Sequence, residues 1–301
     1  MELRSSTDRE TEKEKIARII TELRSKFSLS LLIQVSGMKR STYYYTINKE
    51  DKDTKNDEVM NEIISVFYEH KERYGYRRVT LELINRGYSI NHKKVLRLMN
   101  RMGLYAKTRS RRKYSSYKGE VGKVADNIIE RNFHSESPNK KWYTDVTEFS
   151  IRDGKLYVSP IIDGYNGEII SIDVSRSPDL SQTHRMLDIA INKYESLEGL
   201  IIHSDQGFQY QHFSFQEKLK ENKITQSMSR KGNSIDNSLI ESFFATLKIE
   251  MFYGEEKTFM NTKELEIAIY EYIDYYNNKR IRGKLKGLSP VQYRTQSLSL
   301  N

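Results

Sequence analysis

The chain of 301 residues contains no cysteine. Disulfides and thiolate metal sites are therefore excluded, and with them any zinc module built from His and Cys. No run of apolar residues approaches the roughly eighteen that a membrane-spanning helix needs. The opening Met1-Glu2-Leu3-Arg4 leads into charged sequence rather than into the apolar core of a signal peptide. These absences point to a cytoplasmic protein with no membrane partner. The front of the chain is also short of acids. Residues 1–119 carry 27 Lys and Arg against 15 Asp and Glu, whereas residues 120–301 carry 23 against 26. A basic front joined to a slightly acidic back suggests a polyanion-binding region attached to something else, and nucleic acid is the expected partner.

What is there begins with helices. Residues 10–27 space Ile16, Ile19, Ile20, Leu23 and Phe27 as an amphipathic helix does. A short apolar run, Leu29 and Leu31 to Val35, meets the turn signal Ser36-Gly37, and a basic, hydroxyl-rich stretch from Met38 to Tyr45 follows. That is the outline of a helix-turn-helix, though plain helical hairpins share it. Residues 48–57 are polar and read as a linker. A second helical set then starts at Val59, Ile63, Ile64, Phe67 and Tyr68 and stops near Tyr74-Gly75. Its next member contains Arg77 and Arg78, and its last opens at Asn91 as N-cap and closes at Gly103. On that last helix Lys93, Arg97 and Arg101 recur every four residues with Lys94 beside them, while Val95, Leu98, Met99 and Met102 form the other face. A basic stripe with an apolar backing suits a helix laid against phosphates, with a solvated face as the alternative. Residues 107–118, which include Arg111, Arg112 and Lys113, show no apolar period and read as a basic tether that tracks a DNA backbone or merely links.

The back half changes character. Lys141 to Phe149 alternates as a strand with Asp145 near its middle, and Leu156–Asp163 and Glu168–Val174 continue an antiparallel meander. A helix over 180–194, a short strand Leu200–Ser204 ending at Asp205, a helix over 209–221 and a fifth strand at Lys223–Gln226 follow. A mobile-looking segment, Ser227 to Gly232, brings Arg230 and Lys231 and leads into a helix with Ile240, Phe243, Phe244 and Leu247 on one face. Asp236 or Asn237 is the expected N-cap, Glu241 flanks the buried face, and Lys248 stands above it two turns on. Three strands, helix, strand, helix, strand, helix is the order of an RNase H-like fold. The expected class is therefore α/β, a mixed five-stranded sheet with flanking helices, preceded by an all-α, helix-turn-helix-type region.

Asp145, Asp205 and Glu241 then share a pattern, two strand positions and a helix, with 35 residues between the last two. Three acids with little nearby cation repel one another, and a divalent metal is the usual resolution. Mg²⁺ favours oxygen ligands and keeps positions open for water and phosphate. Two such ions serve both the attacking and leaving oxygens of an in-line phosphoryl displacement. Asp163 precedes Gly164 at a turn, where aspartate is routine. His203 is more readily a core or hydrogen-bonding residue than a proton carrier.

The motifs now carry a resemblance. Tyr74-Gly75-Tyr76-Arg77-Arg78, Asn91-His92-Lys93, Trp142-x-Thr144-Asp145-Val146-Thr147, His203-Ser204-Asp205-Gln206-Gly207, Asp236-Asn237-x-x-x-Glu241-Ser242-Phe243-Phe244-x-x-Leu247-Lys248 and Tyr275-Tyr276-Asn277 with Ser289-Pro290 run in order over roughly residues 30–295. They resemble the DDE transposases of the retroviral-integrase superfamily, in particular the second-frame (OrfB) products of bacterial insertion sequences whose transposase joins two overlapping frames. The resemblance implies that Asp145, Asp205 and Glu241 are the catalytic and metal-binding triad. It implies two Mg²⁺ ions, with Mn²⁺ as a substitute, and makes Lys248 the basic residue that holds the element's end. Lys93, Lys94, Arg97, Arg101, Arg77, Arg78, Arg111, Arg112, Lys113, Arg230 and Lys231 are the further candidates for DNA contact. The implied partners are terminal inverted repeats and target DNA, with a homo-oligomer in the DNA complex and a nucleoid-associated location. The family's active enzyme usually carries a first-frame region with its own helix-turn-helix and a zipper-like helix. Before the matching pattern this chain shows at most the helix of 10–27, so a first-frame product or fusion is an expected partner.

The expected organisation is a helix-turn-helix-like segment 1–50, a helical DNA-binding domain 56–106, a basic linker 107–135, an RNase H-like DDE core 136–260, and a C-terminal helix with a basic tail 261–301. The expected activity is metal-dependent cleavage and strand transfer at insertion-sequence ends. A DNA-binding regulator without catalysis and an RNase H-like nuclease are the alternatives.

Overall fold

The computed structural model describes residues 11–108, 125–230 and 233–299. Five helices come first: α1 (Glu12–Leu23), α2 (Leu29–Ser36), α3 (Arg40–Glu69), α4 (Tyr76–Asn85) and α5 (His92–Arg101). Thr11 and Glu14 close a reciprocal capping box on α1, and the Asn91 side chain accepts from the Lys93 amide at the start of α5. The stretch 48–57, expected as a linker, lies inside α3, which runs unbroken for 30 residues. A polar stretch without Gly or Pro carries no helix stop, so low apolar content alone was a poor linker signal. Near its start α3 packs Tyr43 against Ala17 and Ile20 of α1. Its far half packs Ile63, Val66 and Phe67 against Val79 and Leu83 of α4 and Val95 and Leu98 of α5.

The sheet follows, with β1 (Lys141–Thr144), β2 (Thr147–Ile151), β3 (Gly154–Asp163), β4 (Ile169–Ser175), β5 (Ile201–Ser204) and β6 (Thr225–Met228). Strand β3 pairs antiparallel with β1, β2 and β4, whereas β1–β5 and β5–β6 are parallel. The first two strands keep one register along β3, Thr144 opposite Ile161 and Thr147 opposite Val158, so they form a single ribbon with a gap. Counted so, the sheet has five ribbons in the spatial order 3-2-1-4-5, the order of an RNase H-like sheet. The gap has a cause. The common register sets Asp145 opposite Pro160, which has no N–H to give to a ladder. Asp145 is thus at a break, not in mid-strand as its alternation suggested.

Helices cover both faces. Trp142 and Tyr143 point to opposite sides, as consecutive strand residues must. Trp142 packs with Met186 and Leu187 of α6 (Leu180–Ile191) and Phe215 and Leu219 of α8 (Phe213–Glu221). Tyr143 packs with Ile240, Phe243 and Leu247 of α9 (Ser238–Leu247) and Leu265 and Ile269 of α10 (Thr262–Asn278). The helix expected over 209–221 is split at His212 into α7 (Phe208–Gln211) and α8, where His212 turns extended and caps the second piece. The last strand sits two residues later than expected, so Met228, inside the segment expected to be mobile, is paired and buried. The last described element is α11 (Pro290–Ser299). Ile281 and Tyr275, on either side of the end of α10, reach back into the core of the α3–α5 module.

Candidate active site

Strands β1 and β5 run parallel, and Tyr143 pairs with His203. Two residues beyond that pair on each strand stand Asp145 and Asp205, at the same edge of the sheet, on ribbons about 5 Å apart. Freed from the ladder, the Val146 amide donates to the Asp145 carboxylate at 2.7 Å, and Asp205 accepts from the Gly207 amide at 2.9 Å. A Cβ at 207 would stand 2.6 Å from the Gln209 side-chain nitrogen and 2.9 Å from the Asp205 oxygen, so a larger residue there would have to displace those side chains. Beneath the two acids lies the wholly buried Tyr210, whose hydroxyl stands 3.4 Å from that of Thr144.

Glu241 arrives from α9, and its place depends on the preceding turn, Ser234–Asn237. Of the two alternatives for the N-cap, Asp236 or Asn237, it is Asn237 that holds the N-cap position of α9, without a side-chain cap bond. Asp236 is instead a buried pin. It accepts from Arg230 Nε and Nη2 at 2.8 Å, from Arg131 Nε at 3.0 Å and from Asn127 Nδ2 at 3.0 Å. Asn237 reaches across to the Thr144 carbonyl at 3.5 Å, next to Asp145. After α9 the chain winds into a π-helical turn, Lys248–Phe252. Lys248 opens that turn with its ammonium 5.2 Å from the centre of the Phe149 ring.

Electrostatics brings these groups to one place. Burial and the Asp205 charge push the Asp145 carboxyl well above the usual carboxylate range, the Val146 amide opposes that, Glu241 adds to it and Lys248 opposes it. Asp205 is raised by burial against the Gly207 amide, and Glu241 is raised by burial. Two aspartates at one sheet edge, with Glu241 of α9 acting on Asp145, all resist ionisation and form an acidic site. The donor set is all oxygen, which matches a hard divalent cation. Among the described residues, no three His, Cys, Asp or Glu side chains are gathered tightly enough to hold an ion as they stand.

The remaining candidates separate. Lys93, Arg97 and Arg101 lie exposed along α5, with Lys94 half-buried, over the buried Val95, Leu98 and Met99. Arg77 is exposed and leans on the Tyr76 ring. Arg78 instead turns inward to Glu250, and Arg230 is held by Asp236. Arg111, Arg112, Lys113 and Lys231 lie outside the described residues. Asp163 sits at the opposite end of the sheet from Asp145, buried, accepting from the Asn139 and Tyr165 amides, and burial raises it to about 6. His203 is fully buried, and burial lowers it to about 4. Glu250 and Arg280 are not among the sequence candidates, whereas their partner Arg78 is, as a DNA contact. Glu250 did carry a signal, since it falls seven residues after Phe243, on the stripe that Phe243 and Leu247 bury.

Strand order and acid placement define the class: an integrase-type catalytic core preceded by DNA-binding-type helices. Family models described as integrase core domain match residues 135–234 and 241–298, and an HTH-like domain matches residues 54–113. The chain is 47% identical to the putative transposase InsK for insertion sequence element IS150 of Escherichia coli (strain K12), over 93% of this chain and 98% of that protein. It is 38% identical to the transposase for insertion sequence element IS904 of Lactococcus lactis, over 78% of this chain and 93% of that one. Among solved structures, the catalytic core domain of HTLV-2 integrase in complex with magnesium is 20% identical, covering 53% of this chain and 98% of that one with a TM-score of 0.42. The chain belongs to the insertion-sequence transposases, and it is an enzyme of the DDE transposase and integrase class. No helix among its described residues is long and apolar enough to cross a membrane.

Proposed function

We propose that Asp145, Asp205 and Glu241 are the metal-binding catalytic carboxylates of a strand-transfer reaction at the ends of an insertion sequence. The observation that carries this is the pair of aspartates ending adjacent parallel strands, each raised, with the Glu241 and Lys248 charges acting on Asp145. Asp145 and Asp205 would hold divalent metal between the two ribbons, with Glu241 as the ligand that closes the set. Two Mg²⁺ ions held there, or Mn²⁺ in their place, would supply activation of the attacking oxygen and stabilisation of the leaving oxygen.

The chain's own residues orient the DNA. Lys248, braced on Phe149, meets a backbone phosphate beside the acids. Lys93, Lys94, Arg97, Arg101 and Arg77 hold the duplex away from the site, joined by Arg111, Arg112, Lys113 and Lys231. In the first step a water oxygen bonds to phosphorus at the element's end, and the bond to the 3′ oxygen breaks to leave a 3′-hydroxyl. In the second, that hydroxyl attacks another phosphodiester, gives up its proton and expels a 3′ oxygen, which takes a proton. One phosphodiester is exchanged for another, so no nucleoside triphosphate is consumed. On this reading residues 1–50 and 56–106 recognise DNA, the linker 107–135 tethers it as far as the stretch where Asn127, Ile129 and Arg131 pack on the core, 136–260 perform the exchange and 261–301 complete the core. A first-frame product or fusion and a second copy of the chain join the DNA complex in the cell interior.

The test is incubation of the chain, with and without a first-frame extension, with its flanking terminal repeats and Mg²⁺. Joined ends are expected from the wild type. D145A, D205A and E241A are each expected to fold and to abolish cleavage and joining. Joining retained by any one of the three would remove that residue from the triad.

A further inference from the structure

Glu250 is a buried carboxylate that takes no part in the acid site, and it gathers cations from two distant stretches of chain. Arg280, itself buried, donates to it from Nε and from Nη2, both at 2.8 Å. Arg78 of α4 donates from both Nη atoms at 3.1 Å, and the Tyr272 hydroxyl of α10 donates at 2.9 Å. Arg73, just ahead of α4, donates to the Glu250 carbonyl at 3.0 Å. Burial works against the Glu250 charge, yet the hydrogen bonds and charge of Arg280, with the charge of Arg78, outweigh it and hold the carboxyl below its ordinary range.

Its position in the chain gives the cluster a use. Glu250 lies two residues after Lys248 and nine after Glu241, in the π turn that continues α9. A π turn admits an extra residue, is rarely kept without reason and is frequent at functional sites. Here it coincides with the carboxylate that meets the arginines. Stability alone is a weak account of the cluster, because a buried ion pair seldom outperforms a well-packed apolar pair. The same contacts do connect the α3–α5 module to the helix that carries the site.

We propose that Glu250 is a positioning residue. Through Arg78 and Arg280 it fixes the π turn, and with it Lys248 and Glu241, against the DNA-binding helices, so that a duplex held on α5 meets the acids in one register. The inference rests on the reading of Glu241 and Lys248 as site residues and of α5 as a DNA contact.

Because the chain has no cysteine, two introduced thiols can be labelled without background. Spin labels at Asn100→Cys on α5 and Ser242→Cys on α9, both exposed positions, report the spacing of the two elements by pulsed dipolar spectroscopy on the full chain. With Glu250 present a single narrow distance is expected. Glu250→Gln and Arg78→Gln are each expected to broaden or shift it. Arg78→Gln leaves Arg280 and Tyr272 on Glu250, so it keeps the test open if the first variant does not fold. A narrow, unchanged distance in a folded variant, with only a lower melting temperature, overturns the proposal. In joining assays with pre-cut ends, kcat is expected to fall by about a hundred-fold, the cost of a site displaced by about 1 Å, with KM for DNA nearly unchanged. A higher KM at wild-type kcat also overturns it. If the wild type joins no ends, the reading of the site fails, while the distance measurement still decides the role of Glu250.

Discussion

Replacing Asp236 by Asn tests how the helix carrying Glu241 is held. The carboxylate is closed to solvent and accepts from Asn127, Arg131 and Arg230, including the Arg230 amide at 3.2 Å. Hydrogen bonds to a charged group contribute about 1.5–3 kcal/mol each when the charged end is buried. The arginine ends must be discounted, because their side chains are 46% and 57% exposed and regain water when released. Asn keeps one acceptor and turns an amide N–H₂ toward a guanidinium. We therefore expect a loss of about 2–4 kcal/mol at pH 7. The sign of its pH dependence follows from the same contacts. Arg230's hydrogen bonds, against burial and helped by Arg131, hold the carboxyl well below its ordinary 3.8. A depressed acid contributes its full stabilisation above the unfolded-state pKa and loses it as pH falls through the lower folded value. The gap between wild type and D236N should be flat from pH 7 to about 5 and narrow below about 4. Urea midpoints at a series of pH values, with unchanged slope, measure it. A gap under about 0.5 kcal/mol at pH 7, or one that does not narrow in acid, would refute the pin.

Other expectations follow from the site and its surroundings. Asp145→Asn and Asp205→Asn should each raise the metal-free melting temperature, because burial, joined at Asp145 by the Asp205 charge, loads the native state, and should remove any upshift caused by Mg²⁺; a lower metal-free melting temperature counts against the acid cluster. His203, lowered by burial to about 4, is neutral in the fold while the unfolded chain protonates near 6.5, so stability is present above 6.5 and declines as pH falls toward 4, by about 3 kcal/mol in total. His203→Gln should flatten that part of the profile, and an unchanged acid slope would exclude the histidine as its source. Alanine at Lys93, Arg97 or Arg101 should each reduce the slope of log affinity against log salt by about one while leaving sequence preference alone. An unchanged slope would return the α5 stripe to ordinary solvated surface.

Periodicity made the sheet and its order legible, because alternation and short buried runs mark strands whatever their partners. The α9 stripe Ile240, Phe243, Phe244 and Leu247 is buried as its spacing requires. What escaped depends on pairs distant in sequence. Asp145 reads as mid-strand until Pro160 is known to lie opposite it, although a proline inside a strand run is a visible warning. Asp236 has the composition of an N-cap, and nothing near it reveals Arg131, more than a hundred residues earlier. Arg78 and Arg97 look alike in sequence, yet one is drawn to Glu250, 172 residues on, while the other lies exposed on its helix. Local pattern identifies which face is apolar; it does not say which cation already has a carboxylate.

The gap between β1 and β2 has a consequence for the lineage of such a protein. A carboxylate placed where the ladder has already lapsed carries no backbone pairing of the sheet, so its replacement leaves the architecture standing. On the role proposed above for Asp145, a copy of the element altered there would still yield a folded chain able to occupy the same ends as its active siblings. Decay of individual copies would then restrain the survivors, and the spread of the element would be limited by its own errors.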